Sequence, residues 1–417
     1  MKMRKRKKKR LLTLENIGCT IKMDVEDIIK ERVMKKTEIN GIRKIAVYGI
    51  MFLSSFPFFS LDRQLEIDYV KGSIEDKVSA VKQSALLGDY TLNVRAIDFY
   101  IENKELLEQD EELKKLLLES VKTLGPAYSG DVSSKLCRIF KENSDSEVRK
   151  AVIEKFSDYS SANSVSLVNS YLSEQIKNNA PADDVVLASV KYLQLKGNVT
   201  SFRLIFVADI LGMWEEHSSE LAQAWGPLAN NSENEVLQVL QTSSFDQKLL
   251  ILRAVQKNPY VSKKIRSEVA ENALSEAIYN IGETSDVIIE LQKESLEVIS
   301  ASQWTRAASL ATDYFSVART EYENGHMTAE DFASVITNVA AIASDETGRV
   351  LSEYLDFLNK SKEFSNAPVE AVVLSVINAL GGLGDKTAFD YLLYVTYLDY
   401  SPEVITAARN ALAKLKW

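Results

Sequence analysis

The feature that most constrains this chain is a block of apolar residues three and four apart that breaks after a leucine and then resumes. Near the start Val78, Val81, Ala85 and Leu86 form one such face, Leu87-Gly88-Asp89 interrupts it, and Ala96, Phe99 and Tyr100 continue. Near the end the order returns: Val372, Val376, Ala379 and Leu380, then Gly381-Gly382-Leu383-Gly384-Asp385, then Ala388, Leu392 and Leu393. Residues at these spacings share one side of an α-helix, so each block predicts helix, turn, helix. A fainter copy lies in SDSEVRKAVIEKF, where Val148, Ala151, Val152 and Phe156 have the offsets of Val404, Ala407, Ala408 and Leu412. The last apolar residues of the first helices, Leu86, Leu124, Phe156 and Tyr192, are 38, 32 and 36 apart; Ile342, Leu380 and Leu412 are 38 and 32 apart.

A lone helical hairpin cannot bury its apolar face, whereas stacked hairpins share one continuous core, so this spacing predicts an α-solenoid. With 16 Gly and 7 Pro in 417 residues, the chain has too few turn residues for a β-sandwich or barrel. Glycine closing a first helix permits the left-handed turn that releases it, and an aspartate at 89, 131, 345 or 385 is placed to cap the next helix. Asp89 and Asp385 are therefore expected to be structural residues between repeats.

The phrases NALGGLGDKTAFDYLL, SPEVITAARNAL and SEVRKAVIEKF resemble HEAT repeats. The resemblance is clearest over 74–176 and 330–417, while 200–330, with its segment ADILGMWEEHSSELAQAWGPL, departs from it. It implies an all-α, right-handed α-α superhelix of helical hairpins, the architecture of scaffold and adaptor proteins. It also implies that Arg149, in a Val-Arg pair, ties neighbouring repeats together. The helix before Trp417 reads as the first half of a repeat acting as a C-terminal cap.

Charge divides the chain. Residues 1–60 hold 15 basic and 6 acidic side chains, leaving 35 basic and 53 acidic from Leu61 onward, or −18. Nucleic-acid binding rests on neutralised phosphates, so an acidic body argues against it. Lys35, Lys36, Arg43 and Lys44 precede an apolar stretch from Ile45 to Phe59, the layout of a secretory signal peptide and shorter than a membrane helix. We therefore expect a basic leader over 1–33, untranslated or disordered, a signal peptide over 34–60, and an exported body over 61–417, envelope-associated or periplasmic. The alternatives are a short uncleaved anchor and a cytoplasmic adaptor. Membrane contact is expected only through this segment.

No motif carries chemistry. His217 and His326 lack the spacing of a metal pair, and GGLGDKT lacks the Gly-Lys-Ser/Thr ending of a phosphate loop and reads as an interhelical turn. Of Cys19 and Cys137, only Cys137 would remain after processing, as a small apolar residue. No cofactor or metal is expected. Trp214, Trp225 and Trp304 are expected to fill helix interfaces, as is Trp417. The segment FDYLLYVTYLDY brings Tyr391, Tyr394, Tyr397 and Tyr400 together as the candidate contact with other proteins. The expected function is a non-catalytic protein-binding scaffold; a helical envelope hydrolase or carbohydrate-active enzyme would instead need a cleft with paired carboxylates.

Overall fold

The computed structural model describes residues 63–107, 110–126, 131–280, 285–364 and 367–416. The leader and signal-peptide expectations, and Trp417, lie outside them. The described residues are all-helical, without a strand, and divide between Tyr128 and Ser129 into two compact units.

The first unit comprises α1 (63–71), α2 (Ile74–Leu86), α3 (Thr91–Glu102), α4 (Lys104–Leu107) and α5 (Glu111–Thr123). Helix α2 packs on α3 and α5, and Val78, Ala80, Val81, Leu92, Ala96 and Leu116 form the shared core with Leu65. Ser73 and Asp76 close a reciprocal capping box at the start of α2. After it Gly88 takes φ +82°, and Asp89 Oδ1 accepts from Thr91 N at 2.9 Å and Oγ at 2.6 Å at the entry to α3, whose N-cap is Tyr90. The expected face needs correction at its edges, for Leu86 is 87% exposed and Phe99 is exposed. Five positions beyond Val81, Leu86 points about 140° away from it at 3.6 residues per turn.

The second unit opens with α6 (Val132–Glu142), α7 (Ser146–Phe156), α8 (Ala162–Lys177), α9 (Asp184–Lys196), α10 (Val199–Ile210) and α11 (Ser218–Ala229). It continues with α12 (Glu233–Thr242), α13 (Phe245–Lys257), α14 (Lys263–Ile278), α15 (Asp286–Ala301) and α16 (Ala308–Glu323). The last five are α17 (Ala329–Ala341), α18 (Thr347–Glu363), α19 (Glu370–Leu383), α20 (Phe389–Val395) and α21 (Pro402–Leu412).

Packing runs from neighbour to neighbour in two layers. Even-numbered helices from α6 to α16 pack each on the next, as α18 does on α20. In the odd layer α7, α9 and α11 pack in order, and so do α13, α15, α17, α19 and α21. Helices α11 and α13 meet at their C-terminal ends, where Gly226 admits the Asn258 side chain and Asn258 Nδ2 donates to Ala222 O at 2.8 Å. The unit is thus a solenoid in which each helix buries its stripe against neighbours on both sides.

The sequence markers Phe156, Tyr192, Ile342, Leu380 and Leu412 all fall in or at the ends of odd-layer helices, so the offsets identify one layer. The pairing differs from expectation. The closely packed hairpins are α6/α7, α8/α9, α10/α11, α14/α15, α16/α17, α18/α19 and α20/α21, with the even helix first. Helix α21 is accordingly the second half of its hairpin, and Lys416 N donates to Gly384 O at 2.8 Å to pin the end. Between 200 and 330 the alternation continues without Gly-Asp breaks, because Asn198, Ser244 and Ser262 accept the first-turn amides of α10, α13 and α14.

A recurring cation closes helix ends in both units. The fourth residue of α2, α7 and α13 is Lys77, Arg149 or Lys248, and each reaches back to the carbonyl end of the preceding helix. Lys77 donates to Tyr69 O and Val70 O, Arg149 Nε to Asn143 O at 2.6 Å, and Lys248 Nζ to Ser243 O at 2.6 Å. A positive charge there complements the helix dipole and satisfies orphan carbonyls. Arg149 also lies over the rings of Phe140 on α6 and Tyr171 on α8, so it bridges successive hairpins.

A network across α12, α14 and the turn before α16 ties successive helices of the even layer together. Lys264 bonds Glu233 at 2.5 Å, Arg306 pairs with Glu271 at 2.7 Å and Glu268 at 3.3 Å, and Trp304 Nε1 donates to Glu271 at 2.6 Å. Glu268 is buried, its Oε2 accepts no hydrogen bond, and burial together with the Glu233 carboxyl raises its pKa. Because the folded value exceeds the unfolded one of about 4.3, the associated stability is present below that pH and is lost as pH rises through the folded pKa. Glu268→Gln should therefore gain stability relative to the native chain as pH rises from 4.5 to 8. Urea midpoints across that range test it, and a variant that falls further behind with rising pH would refute the assignment.

Candidate protein-contact surface

The tyrosines singled out in the sequence lie on α20 and the turn after it, and the structure separates them. Tyr400 is buried, and its hydroxyl donates to Leu358 O at 3.2 Å beneath Lys362. It packs α20 onto α18 and offers no surface to a partner, a correction that follows from its position on the inward side of the turn. Tyr391 is half-buried, and its carbonyl accepts from Asn359 Nδ2 at 3.1 Å. Tyr394 and Tyr397 face outward, Tyr397 at 76% exposure. The Glu363 carboxylate near Tyr394 holds its hydroxyl above the ordinary phenol pKa.

Two exposed aromatics on α18, missed in the sequence, belong with these. Phe357 is 44% exposed and Phe364, at the helix end beside Glu363, is 79% exposed. The buried stripe of α18 runs through Leu351, Tyr354, Leu355 and Leu358, and Phe357 lies off it. An aromatic outside the apolar stripe was the signal available in the sequence. Arg319 from α16 sits 4.5 Å from the Phe357 ring and 4.9 Å from Tyr354. Behind Phe357, Tyr354 packs edge-on to Phe315 and Phe332 at 5.5 and 5.7 Å. An aromatic backed by a packed core loses little freedom on binding, which favours it as an interface anchor.

The remaining residues fall into structural roles. Asp385 caps the turn after α19 through Thr387 N at 2.9 Å, and its carboxylate occupies the space a Cβ on Gly348 of α18 would need. It thus links hairpins. Of GGLGDKT, expected as an interhelical turn, Gly381 to Leu383 instead form the last turn of α19, and the break is confined to Gly384, at φ +70°, and Asp385. Asp131 caps α6, whereas Ser344, not Asp345, bonds the first turn of α18. Trp214 and Trp225 are buried, and their indoles donate to Ala180 O at 2.9 Å and Asp209 Oδ2 at 2.7 Å. Trp304 is half-buried within the Arg306–Glu271 network. Cys137 is half-buried in α6, and burial pushes its thiol pKa up. His217 Nδ1 lies 3.7 Å from Glu220, His326 Nδ1 bonds Glu321 at 3.0 Å, and no group of three potential metal ligands occurs among the described residues.

No helix among the described residues is long and apolar enough to cross a membrane. Compared with known proteins, the chain matches no family model, no curated protein and no solved structure.

Proposed function

We propose that this protein is a non-catalytic scaffold or adaptor of the bacterial cell envelope, engaging other proteins through the exposed aromatics of α18 and α20. The observation that carries the reading is Phe357, fixed by Arg319 and Tyr354 yet open to solvent, with Phe364, Tyr394 and Tyr397 exposed on the same helices or at their ends. Tyrosine and phenylalanine contribute large contact area for few rotatable bonds, and they are enriched where proteins bind one another. The basic segment followed by Ile45–Phe59 supports placement in the envelope by export.

The test is a photo-reactive benzoylphenylalanine placed at Tyr397 or Phe364 in the native host, with Asn234 on α12 as an exposed control position. A discrete adduct at the first two positions, absent at Asn234 and reduced at least tenfold by Phe357→Ser, is expected. Equal labelling at all three, or none, would remove α18 and α20 as the contact. Cell fractionation with N-terminal sequencing tests export separately: the expected result is a terminus just beyond Ser55 or Ser60 in the envelope or periplasm. An intact Met1 terminus in the cytoplasm would overturn it.

A further inference from the structure

We propose that the groove between α13 and α15 binds an acidic segment of a partner protein that carries an apolar side chain. The groove, about 660 Å³, lies within the size range of ligand sites, roughly 300–1,000 Å³. Arg253, Lys257, Lys263 and Arg266 line it, in a body whose balance from Leu61 onward is −18.

Those four cations are not equally available. Arg253 is held by Glu294, with its Nε 3.0 Å from Oε1, and by Glu290. Lys257 and Lys263 are exposed and form no ion pair among the described residues. Arg266 donates one amino nitrogen to Asn258 O at 2.6 Å, while its Nε–H is shielded from solvent and meets no acceptor. The donors open to a ligand are therefore the two unpaired ammonium groups, which a carboxylate completes with charge-assisted hydrogen bonds.

The floor is apolar. Val298 is half-buried and Ala301 exposed above the fully buried Leu252, leaving a strip for one aliphatic or aromatic side chain. Glu294, paired with Arg253, and Glu297 line the same groove and restrict favourable anion contact to Lys257 and Lys263. An extended phosphate backbone needs a run of cations and would meet these carboxylates, whereas a peptide places its few charges locally and fills the apolar strip between them. The surface involves other helices than the aromatics of α18 and α20.

Fluorescence anisotropy with the full chain tests the assignment, using a fluorescein-labelled peptide of Glu and Leu residues and a matched peptide with Gln for Glu. The Glu peptide should bind saturably and at least tenfold more tightly than the Gln peptide, with affinity falling as salt rises. The double variant Lys257→Glu with Lys263→Glu changes only exposed side chains, so its helicity and melting should match the native chain while binding falls at least tenfold. Lys177→Glu, an exposed reversal on α8, should leave binding within twofold. The proposal is overturned by absent or non-saturable binding, by equal binding of the two peptides, or by insensitivity to the double reversal. A labelled oligothymidylate of equal charge binding as tightly through Lys257 and Lys263 would instead make the groove a polyanion site.

Discussion

Replacing Trp225 by alanine is expected to cost about 4 kcal/mol of stability, the largest single loss anticipated in this chain. Trp225 is buried in α11, packs edge-on to Phe206 of α10 at 4.9 Å, and donates its indole N–H to Asp209 Oδ2 at 2.7 Å. Phe206 in turn stacks on Phe202 at 5.1 Å, so the ring completes an aromatic column. Truncation removes the buried area, leaves a cavity that α10 and α11 cannot close, and strips a donor from Asp209. Burial already raises the Asp209 pKa, opposed by its bonds from Trp225 and from Ser218 at 2.9 Å, and losing the indole leaves the carboxylate short of a partner. Trp225→Phe retains most of the packing and forfeits the hydrogen bond, so a loss of about 1–2 kcal/mol is expected. Urea unfolding followed by far-ultraviolet circular dichroism separates the two variants. A loss below about 1 kcal/mol for alanine would show that the site collapses freely and that the column is not a packing constraint.

The second large effect contrasts two adjacent glycines. A Cβ at Gly381 would stand 2.9 Å from Ala411 Cβ and 3.0 Å from Ala411 Cα, because α19 and α21 approach there backbone to side chain. Gly381→Val should force α21 outward and cost about 2–3 kcal/mol, as overpacking does in a filled core. At Gly382 nothing lies within 4 Å of the added carbon, and the residue is in the last turn of α19. Gly382→Ala should therefore stabilise by up to about 1 kcal/mol through helix propensity alone. Opposite signs one residue apart would identify α19–α21 contact as the constraint; losses at both positions would point to a requirement for glycine in the turn itself. Hydrogen exchange at α21 and at the Lys416–Gly384 bond should accelerate only in the Gly381 variant.

What could be read without coordinates follows the reach of each interaction. Helix faces depend on spacing along the chain, so Val78 and Val81, Val148 with Ala151, Val152 and Phe156, and Val372 with Val376 and Leu380 are all buried as their offsets require. Left-handed turns are equally local, which is why Gly88 and Gly384 both take positive φ where the first helix of each block ends. The all-helical solenoid follows from repeating those faces. An offset marks which side of a helix is buried but not which neighbour covers it, so the hairpin phase and the place of α21 emerged only on folding.

The candidate surface divides in the same way. Four tyrosines within a dozen residues marked the region, yet whether a ring points inward depends on the turn that follows α20 and on α18 beside it. Tyr400 is consequently buried while Tyr397 is exposed. Phe357 and Arg319 are 38 residues apart and meet only because α16 and α18 lie side by side. The groove cations come from α13 and the start of α14, and the apolar strip beside them from α15. Spacing along one helix determined the elements and their buried faces; contacts between helices, which depend on loop path and packing order, decided which side chains stand together at the surface.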